Sequence, residues 1–439
     1  MIISVIGFGH IGSVIGSVIA SQNNFVYGID KNRELLDSFL DKKIPISEPG
    51  LQELVSSKID KKYLCLTDKI EKVSESDVVI ITVGTPLGEN NKADLSHLSA
   101  TCEELEPYIK EGHLILVKST VPPGTTRNVV HKLLSKNKKN IDVVFSPERL
   151  AEGNAIKELK TLPIIIGGLT DDSAERASEF WKNTINVETI IVNSAETSEF
   201  VKLANNAWID LNIGLAHDLA RLSDNLDLNI DIVEVINAAN TLKKGSSNVN
   251  ILTPSNGVGG YCLTKDPWFL YTLGLESGLE LSTIKSGRIA NDIMPKYCAN
   301  KITQFFNKKN IDFSNYKISI LGLSFKTDSG DIRFTPVLPF IKHLEKSGFK
   351  KLFIFDPLVT ENDLNKINLK LNNDIYETIR NSDCVIFMTA HKEIANLSIN
   401  DLQNNCNKNA LIFDGRRYFT KVEIREIVSR GLSYTGVGR

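Results

Sequence analysis

Apolar residues along the chain gather into two kinds of run. Short continuous runs stop abruptly at glycine, threonine, proline or aspartate. Ile2-Ile3-Ser4-Val5-Ile6 leads into Gly7, Phe25-Val26-Tyr27-Gly28-Ile29 into Asp30, Val78-Val79-Ile80-Ile81-Thr82-Val83 into Gly84-Thr85-Pro86, and the run from His113 to Val117 into Lys118-Ser119-Thr120. Runs of this length with no polar face predict strands buried on both sides, as in a parallel sheet covered by helices. The plan returns in the last third of the chain. Tyr316 to Leu321 leads into Gly322, and Lys351 to Phe355 leads into Asp356-Pro357. Ser382-Asp383-Cys384-Val385-Ile386 echoes Ser76-Asp77-Val78-Val79-Ile80, and Ala410 to Asp414 echoes the run at 113–117. The second kind of run lies between these regions. From Ser194 to about Asn225, Phe200, Leu203, Ala204, Ala207, Trp208, Leu211, Leu215, Leu219 and Leu222 recur at helical spacing, which predicts one long helix.

The first strand opens into Gly7-Phe8-Gly9-His10-Ile11-Gly12, a GxGxxG turn followed by a small-residue helical stretch. Glycines at these spacings allow a tight turn and a close backbone approach, so that a helix N-terminus faces a pyrophosphate. Asp30 ends the next strand, where an acid holds a ribose 2′-hydroxyl and disfavours a 2′-phosphate; NAD is therefore expected over NADP. In the C-terminal repeat only Gly322 remains of the three glycines, while Lys326, Arg333, Arg416 and Arg417 follow. Side chains able to grip phosphate thus replace a backbone cradle, which predicts a phosphorylated substrate there rather than a second dinucleotide. The fold class that follows is α/β, with two Rossmann-like doubly wound domains joined by a central helical domain carrying the long helix.

Composition narrows the function classes. A net charge of −2 over 439 residues leaves no footprint for nucleic acid or an anionic membrane. No apolar run approaches the ~18 residues of a membrane span, and Ile2 to Gly7 reads as a buried strand rather than a leader, so the expected compartment is the cytoplasm. The six cysteines are scattered with no CxxC spacing, as expected of reduced thiols rather than a metal site. One of them, Cys262, follows Gly257-Val258-Gly259-Gly260-Tyr261 and precedes Leu263-Thr264-Lys265-Asp266. On the long helix, Glu199, Lys202 and Asn206 share one face. Its several apolar stripes must bury more than one side, which predicts domain linkage together with a homodimer.

Taken in order, the motifs resemble those of the UDP-glucose/GDP-mannose dehydrogenase family. They are the GxGxxG turn, Glu48-Pro49-Gly50-Leu51, Val83-Gly84-Thr85-Pro86, Lys118 through Thr126, Ser146-Pro147-Glu148-Arg149-Leu150-Ala151-Glu152-Gly153, Lys202 with Asn206, Gly259-Gly260-Tyr261-Cys262 through Asp266, and Gly322 through Arg333. The resemblance implies a four-electron oxidation of a nucleotide-sugar CH₂OH to a carboxylate with two NAD⁺, in three domains: NAD-binding at 1–193, central helical at 194–300 and UDP-sugar-binding at 301–439. It implies Cys262 as the nucleophile that re-forms a hydride-bearing tetrahedral carbon. Lys202 and Asn206 would stabilise oxyanions, Asp266 would serve proton transfer, Glu148 thioester hydrolysis, and Thr120 an ordered water. At the cofactor it places Gly7, Gly9, His10, Ile11, Gly12, Asp30, Thr85, Lys265 and Arg333. At the substrate it places Glu152, Gly259, Lys326 and Arg416, with the glycines before Cys262 letting the backbone approach the sugar.

Two features depart from the family's pattern. The loop Lys243-Lys244-Gly245-Ser246-Ser247-Asn248-Val249-Asn250 lacks an arginine that in relatives crosses a dimer interface, leaving Lys243 or Lys244 as a point charge. Ser146-Pro147-Glu148-Arg149 and Val121-Pro122-Pro123-Gly124 resemble the branch acting on UDP-N-acetylhexosamines, whereas Gly260 through Asp266 resembles the UDP-glucose branch. The substrate expected is UDP-N-acetylmannosamine or UDP-N-acetylglucosamine, with UDP-glucose as the alternative. A β-hydroxyacid dehydrogenase shares the N-terminal unit and a helical Lys-x-x-x-Asn, but needs neither Cys262 nor the 316–417 repeat. A nucleotide-sugar sensor without turnover would bind and release no NADH.

Overall fold

Eight short strands near the N-terminus join into one sheet: β1 (Ile2–Ile6), β2 (Phe25–Ile29), β3 (Leu64–Thr67), β4 (Val78–Ile81), β5 (Leu114–Val117), β6 (Asp142–Phe145), β7 (Ile164–Gly168) and β8 (Thr189–Val192). Their order is β3-β2-β1-β4-β5-β6-β7-β8. All neighbours run parallel except β6 and β7. Every residue of β4 and β5 is buried, as the unbroken apolar runs require. Helix α1 (His10–Ser21) follows β1 and is buried from Gly12 to Ala20. The order reverses between β1 and β4, so the turns after these two strands flank the position where doubly wound sheets bind ligands.

The computed structural model describes residues 1–46, 48–136, 140–226, 228–308, 312–360, 363–364 and 369–439. Two compact units emerge, Met1–Asn205 with Trp268–Leu279, and Asn206–Pro267 with Glu280–Arg439. The long helix, α2 (Ala195–Asn225), begins within one residue of its expected start. Phe200, Trp208, Leu215 and Leu222 lie on it about two turns apart and are each half exposed or more nearly so, at 50%, 52%, 49% and 56%. The second unit also contains a small hairpin of β9 (Lys243–Lys244) and β10 (Ser247–Asn248); helix α3 (Asp266–Glu276) belongs to the first unit from Trp268 onward, and α4 (Ser282–Asp292) to the second.

The second unit has its own sheet of β11 (Lys317–Leu321), β12 (Lys351–Phe355), β13 (Cys384–Phe387), β14 (Leu411–Asp414) and β15 (Ser433–Gly436). Its order is β12-β11-β13-β14-β15, parallel throughout. The pairing Ile320↔Ile354 across β11 and β12 repeats that of Val5↔Gly28 across β1 and β2, and each first strand ends in a glycine turn. Apolar clusters line both faces of each sheet.

Candidate active site

In the first unit the turn after β1 is shaped by three different demands. Gly7 has φ +88°, and its N–H donates to Ile29 O at 2.8 Å. At Gly12 a side chain is impossible, because a Cβ would stand 2.0 Å from Gly7 O. Gly9 is the opposite case: among the described residues, no heavy atom beyond its chain neighbours and its own helix's backbone lies within 4 Å of where its Cβ would be. Gly9 also caps α1 with no side-chain hydrogen bond and no acid in the first turn. The positive end of α1 and its orphan N–H groups are thus left for an anion. Asp30 is half buried; its Oδ2 accepts from Phe8 N at 2.7 Å and its Oδ1 from Asn32 N at 2.9 Å, leaving lone pairs on both oxygens. Thr85 is buried, and its Oγ1 has no partner among the described residues. An open space over Gly9, an uncapped helix end and an unsatisfied hydroxyl fit a dinucleotide.

The side chain of His10 leaves that turn and reaches two carboxylates. Its Nε2 is 3.4 Å from Glu48 Oε2, and its Nδ1 is 3.6 Å from Glu152 Oε1. Burial pulls the imidazole pKa down, but the hydrogen bonds and charges of Glu152 and Glu48 outweigh it and hold the ring above its ordinary 6.5. Glu48, buried, also accepts from Gly153 N at 2.7 Å, tying the segment 148–153 to this cluster.

A second charged cluster lies on the same segment. Glu148 accepts from Leu150 N and has Lys202 Nζ 3.5 Å from its Oε2. Lys118 is buried over the Trp181 ring, 4.7 Å from its centroid, and donates to Ser146 O at 2.9 Å. Burial pushes its ammonium down to about 7, against the pull of the Glu148 charge. Thr120 is half buried two residues on. One turn before Lys202 on α2, the fully buried Glu199 accepts from Gly124 N at 2.5 Å and from Thr126 N and Oγ1 at 2.7 and 2.6 Å. Burial pushes this carboxyl up to about 7 in spite of those three donors. It anchors the Thr120 to Thr126 loop to the helix that carries Lys202.

In the second unit, Cys262 is exposed on a run of turns that ends in α3. Its carbonyl accepts from Lys265 N at 3.2 Å and Asp266 N at 2.9 Å, which folds the segment into a helical turn. Asp266 is fully buried; its Oδ1 is 2.6 Å from Lys265 Nζ and its Oδ2 accepts from Asn206 Nδ2 at 2.5 Å. Cys102, Cys298 and Cys406 are pushed up to about 12 by burial, and burial also holds Cys384 well above its ordinary value, so they remain thiols. Cys65 is exposed as well, on β3.

The glycines before Cys262 make room for a neighbouring segment of the same unit. A Cβ at Gly259 would stand 2.5 Å from Phe325 Cβ and 2.8 Å from Pro336 Cδ, and one at Gly260 would enter the Phe325 ring. They let the cysteine turn pack against the segment 325–336, and Gly260 N donates to Arg333 O at 3.1 Å. That segment carries Lys326, half buried next to Phe325. Arg416 braces it, donating from Nη2 to Phe325 O at 2.7 Å and from Nε to Met388 O at 2.9 Å. Burial pushes this guanidinium down to about 10, the Arg417 charge adding to the effect. Its acceptors among the described residues are carbonyls rather than carboxylates, an arrangement that suits an anion. Lys265 and Arg333, expected at the cofactor, are engaged within this unit, Lys265 by Asp266 and Arg333 by Asp331.

Sequence reasoning missed several residues that shape these groups. Glu48 and Lys118 were visible only as letters in motifs, Asp356 only as the acid at the end of a strand, and Asp210, Arg288 and His391 carried no local signal. A buried charge on an otherwise apolar helix face would have been the one clue to Asp210.

Models of three domains match this chain in sequence order. They are the UDP-glucose/GDP-mannose dehydrogenase family NAD binding domain at residues 1–185, the central domain at 196–293 and the UDP binding domain at 319–421. The UDP-N-acetyl-D-mannosamine dehydrogenase of Methanococcus aeolicus is 36% identical over 417 residues, covering 94% of this chain and 90% of that protein.

The chain belongs to the UDP-glucose/GDP-mannose dehydrogenase family.

As a member of this family it is an NAD-dependent oxidoreductase, and the turn after β1 lies in its NAD binding domain. Solved structures of family members share the fold. A UDP-D-ManNAc dehydrogenase from Pyrococcus horikoshii aligns with a TM-score of 0.88 at 28% identity, over 100% of this chain and 99% of that one. A UDP-glucose dehydrogenase from Pyrobaculum islandicum aligns with a TM-score of 0.87 at 25% identity, over 100% and 97%. Fold similarity therefore does not separate the two sugars, whereas sequence similarity favours the acetamido branch. No helix among the described residues is long and apolar enough to cross a membrane. No group of three or more His, Cys, Asp or Glu gathers there as metal ligands.

Proposed function

We propose that this chain is a UDP-N-acetyl-D-mannosamine 6-dehydrogenase that carries out both oxidations through Cys262. The observation that carries the reading is the exposed thiol of Cys262 on a turn whose next buried acid, Asp266, is bonded to Asn206. The overall balance is RCH₂OH + 2 NAD⁺ + H₂O → RCOO⁻ + 2 NADH + 3 H⁺. Bound NAD⁺ supplies the hydride acceptor for each oxidation. The alcohol first loses a hydride and a proton to become an aldehyde. The Cys262 sulfur then bonds to the carbonyl carbon, and the oxygen takes a proton, giving a thiohemiacetal. Loss of a second hydride and proton leaves a thioester, which water cleaves to the carboxylic acid and the free thiol.

Lys202 and Asn206, one turn apart on α2, are assigned to the alkoxide and tetrahedral oxyanions, because an ammonium and an amide N–H stabilise negative charge that develops on oxygen. Asp266 orients Asn206 and takes up protons, Glu148 is the base for thioester hydrolysis, and Thr120 orders the water. Gly9, His10 and Ile11 present backbone to the pyrophosphate, with Gly7 and Gly12 shaping the turn, Asp30 on the ribose, and Thr85, Lys265 and Arg333 as further cofactor contacts. Glu152 and Gly259 line the sugar, and Lys326 and Arg416 hold the diphosphate.

The same reading divides the chain near residues 193 and 300, close to the matched ranges. It pairs two copies along the exposed Phe200, Trp208, Leu215 and Leu222 stripe of α2. It places the enzyme in the cytoplasm, where six scattered cysteines with no CxxC spacing suit a reducing medium.

The test is NADH release across UDP-N-acetylmannosamine, UDP-N-acetylglucosamine, UDP-glucose, UDP-galactose and GDP-mannose. Two NADH per UDP-N-acetylmannosamine are expected. A response to UDP-glucose alone replaces the sugar and keeps the mechanism, and one NADH per sugar refutes the second oxidation.

A further inference from the structure

Arg288 lies on α4 with 1% of its surface exposed, outside the sequence motifs that name the family. Its Nη1 donates to Asp210 Oδ1 and, at 3.0 Å, to Leu263 O, the carbonyl of the residue after Cys262. Its Nη2 donates to the exposed carboxylate of Asp292. Asp210 is itself buried, on α2 one turn beyond Asn206. Burial pushes its carboxyl up to about 6, while the Arg288 charge and the Asn291 amide oppose this. Asn291 donates to Asp210 O at 2.9 Å and to Oδ1 at 2.7 Å. His217, pushed down to about 3 by burial and so neutral, donates from Nδ1 to Asn291 Oδ1 at 2.8 Å. Its Nε2 is 3.4 Å from Ser255 Oγ, which donates to Gly257 O at 2.9 Å. One buried polar network therefore runs from α2 to both flanks of the cysteine segment, at Gly257 before it and at Leu263 after it.

A buried ion pair adds little net stability over an apolar pair of the same size, because desolvating both charges offsets their attraction. What it supplies here is direction. The planar guanidinium has several N–H groups at fixed angles, so a single side chain holds a carboxylate and a backbone carbonyl at once. The same helix that presents Asn206 thus sets, one turn later, the position of the peptide group next to the sulfur.

We infer that Arg288, anchored by Asp210, is a positioning residue for Cys262 that is needed for the second oxidation and not for the first. The inference rests on the reading of Cys262 as nucleophile. Addition of sulfur to the aldehyde carbon needs near-attack geometry, and a displacement of about 1 Å costs about 100-fold in rate. The first oxidation forms no bond to sulfur and is indifferent to that displacement.

The test uses the full chain carrying Arg288→Lys, Asp210→Asn or Cys262→Ser. The first-turnover NADH burst with UDP-N-acetylmannosamine reads the first oxidation, and NADH formed from the UDP-6-aldehydo sugar supplied directly reads the second. Arg288→Lys and Asp210→Asn are expected to melt cooperatively and keep the burst within about 3-fold of the parent. Their kcat on the aldehyde should fall about 10- to 100-fold with KM changed less than about 3-fold. If either folded variant oxidises the aldehyde within about 2-fold of the parent rate, or loses both oxidations equally, the inference is overturned. Should one variant fail to fold, the other carries the same criteria. If both fail, site-resolved alkylation of Cys262 by iodoacetamide in Asp292→Asn decides: a parental rate overturns the inference, and an altered rate supports the positioning role of Arg288. Cys262→Ser separates the two levels. If it oxidises the aldehyde at the parent rate, the nucleophile reading itself fails; if it does not, while Arg288→Lys does, only the positioning role falls.

Discussion

The turns after β1 and β11 begin alike and end differently. Gly7 and Gly322 have φ +88° and +92°, and each donates its N–H to the last residue of the neighbouring strand, Ile29 or Phe355, at 2.8 Å. In each, the next N–H goes to an aspartate at the end of that strand: Phe8 N to Asp30, and Leu323 N to Asp356. Two residues after the first glycine the turns diverge. Gly9 leaves open space where Ser324 puts a hydroxyl, and that hydroxyl is bonded at 3.1 Å to Asp356 Oδ2 and lies 2.8 Å from His391 Nε2. Asp356 also receives Ser324 N, Leu358 N and His391 Nε2, and is 5% exposed. In the first turn the acid keeps capacity for a ligand; in the second, protein donors use that capacity. The same fold element therefore leaves room and acceptor capacity for a ligand in one place, whereas in the other its loop is closed by protein donors.

This comparison can be broken most directly at Gly9. Because no described atom beyond its chain neighbours and its own helix's backbone lies within 4 Å of its missing Cβ and its φ is −72°, Gly9→Val should cost no more than about 1 kcal/mol of stability, the loss of a good N-cap residue, while raising KM for NAD⁺ by about 100-fold, a loss of ~2.7 kcal/mol in binding. Steady-state kinetics with thermal denaturation checks both halves. The mirror substitution is Gly322→Ala, whose Cβ would meet Thr389 Cβ at 2.5 Å on a backbone with φ +92°. It should destabilise the fold by about 2–4 kcal/mol in denaturant titration, from steric overlap and left-handed strain together. NAD⁺ binding by the remaining folded protein should be unaltered.

A smaller effect sharpens the contrast. Ser324→Gly restores the glycine but removes a buried hydroxyl from Asp356 and His391, and should cost about 1–2 kcal/mol of stability without creating a second dinucleotide site, as equilibrium binding would show. The smallest effect concerns pH. Because Glu152 and Glu48 hold His10 above its ordinary 6.5, its proton favours the folded state. That contribution is complete below about 6.5 and is lost as pH rises through the elevated value. The melting temperature of the parent should therefore fall more between about pH 6 and pH 8 than that of His10→Gln.

Much of this plan is legible in the sequence, because buried parallel strands need unbroken apolar runs and β1, β2, β4, β5 and β11 to β14 supply them. The strands that escape are those whose burial is partial or whose letters are polar. In β8 the middle pair Ile190 and Ile191 is exposed, and β15 is Ser-Tyr-Thr-Gly, held by pairing with β14 rather than by its own hydrophobicity. Asn206 and Asp266 can each be singled out by the motif they sit in, but the bond that joins them across 60 positions is seen only in the structure. Arg288 and Asp210 are 78 positions apart, and His391 and Asp356 are 35 apart; only tertiary packing joins them. The glycines before Cys262 show a further limit. A glycine states that something comes close, and only the structure shows that Phe325 and Pro336 do.

The most direct test of this division of labour is calorimetric titration of the parent and Gly9→Val with NAD⁺ and with UDP. The account predicts one NAD⁺ per chain in the parent, lost or greatly weakened in Gly9→Val, and one UDP per chain bound equally by both. Two NAD⁺ per chain, or UDP binding that disappears together with NAD⁺ in Gly9→Val, would contradict it.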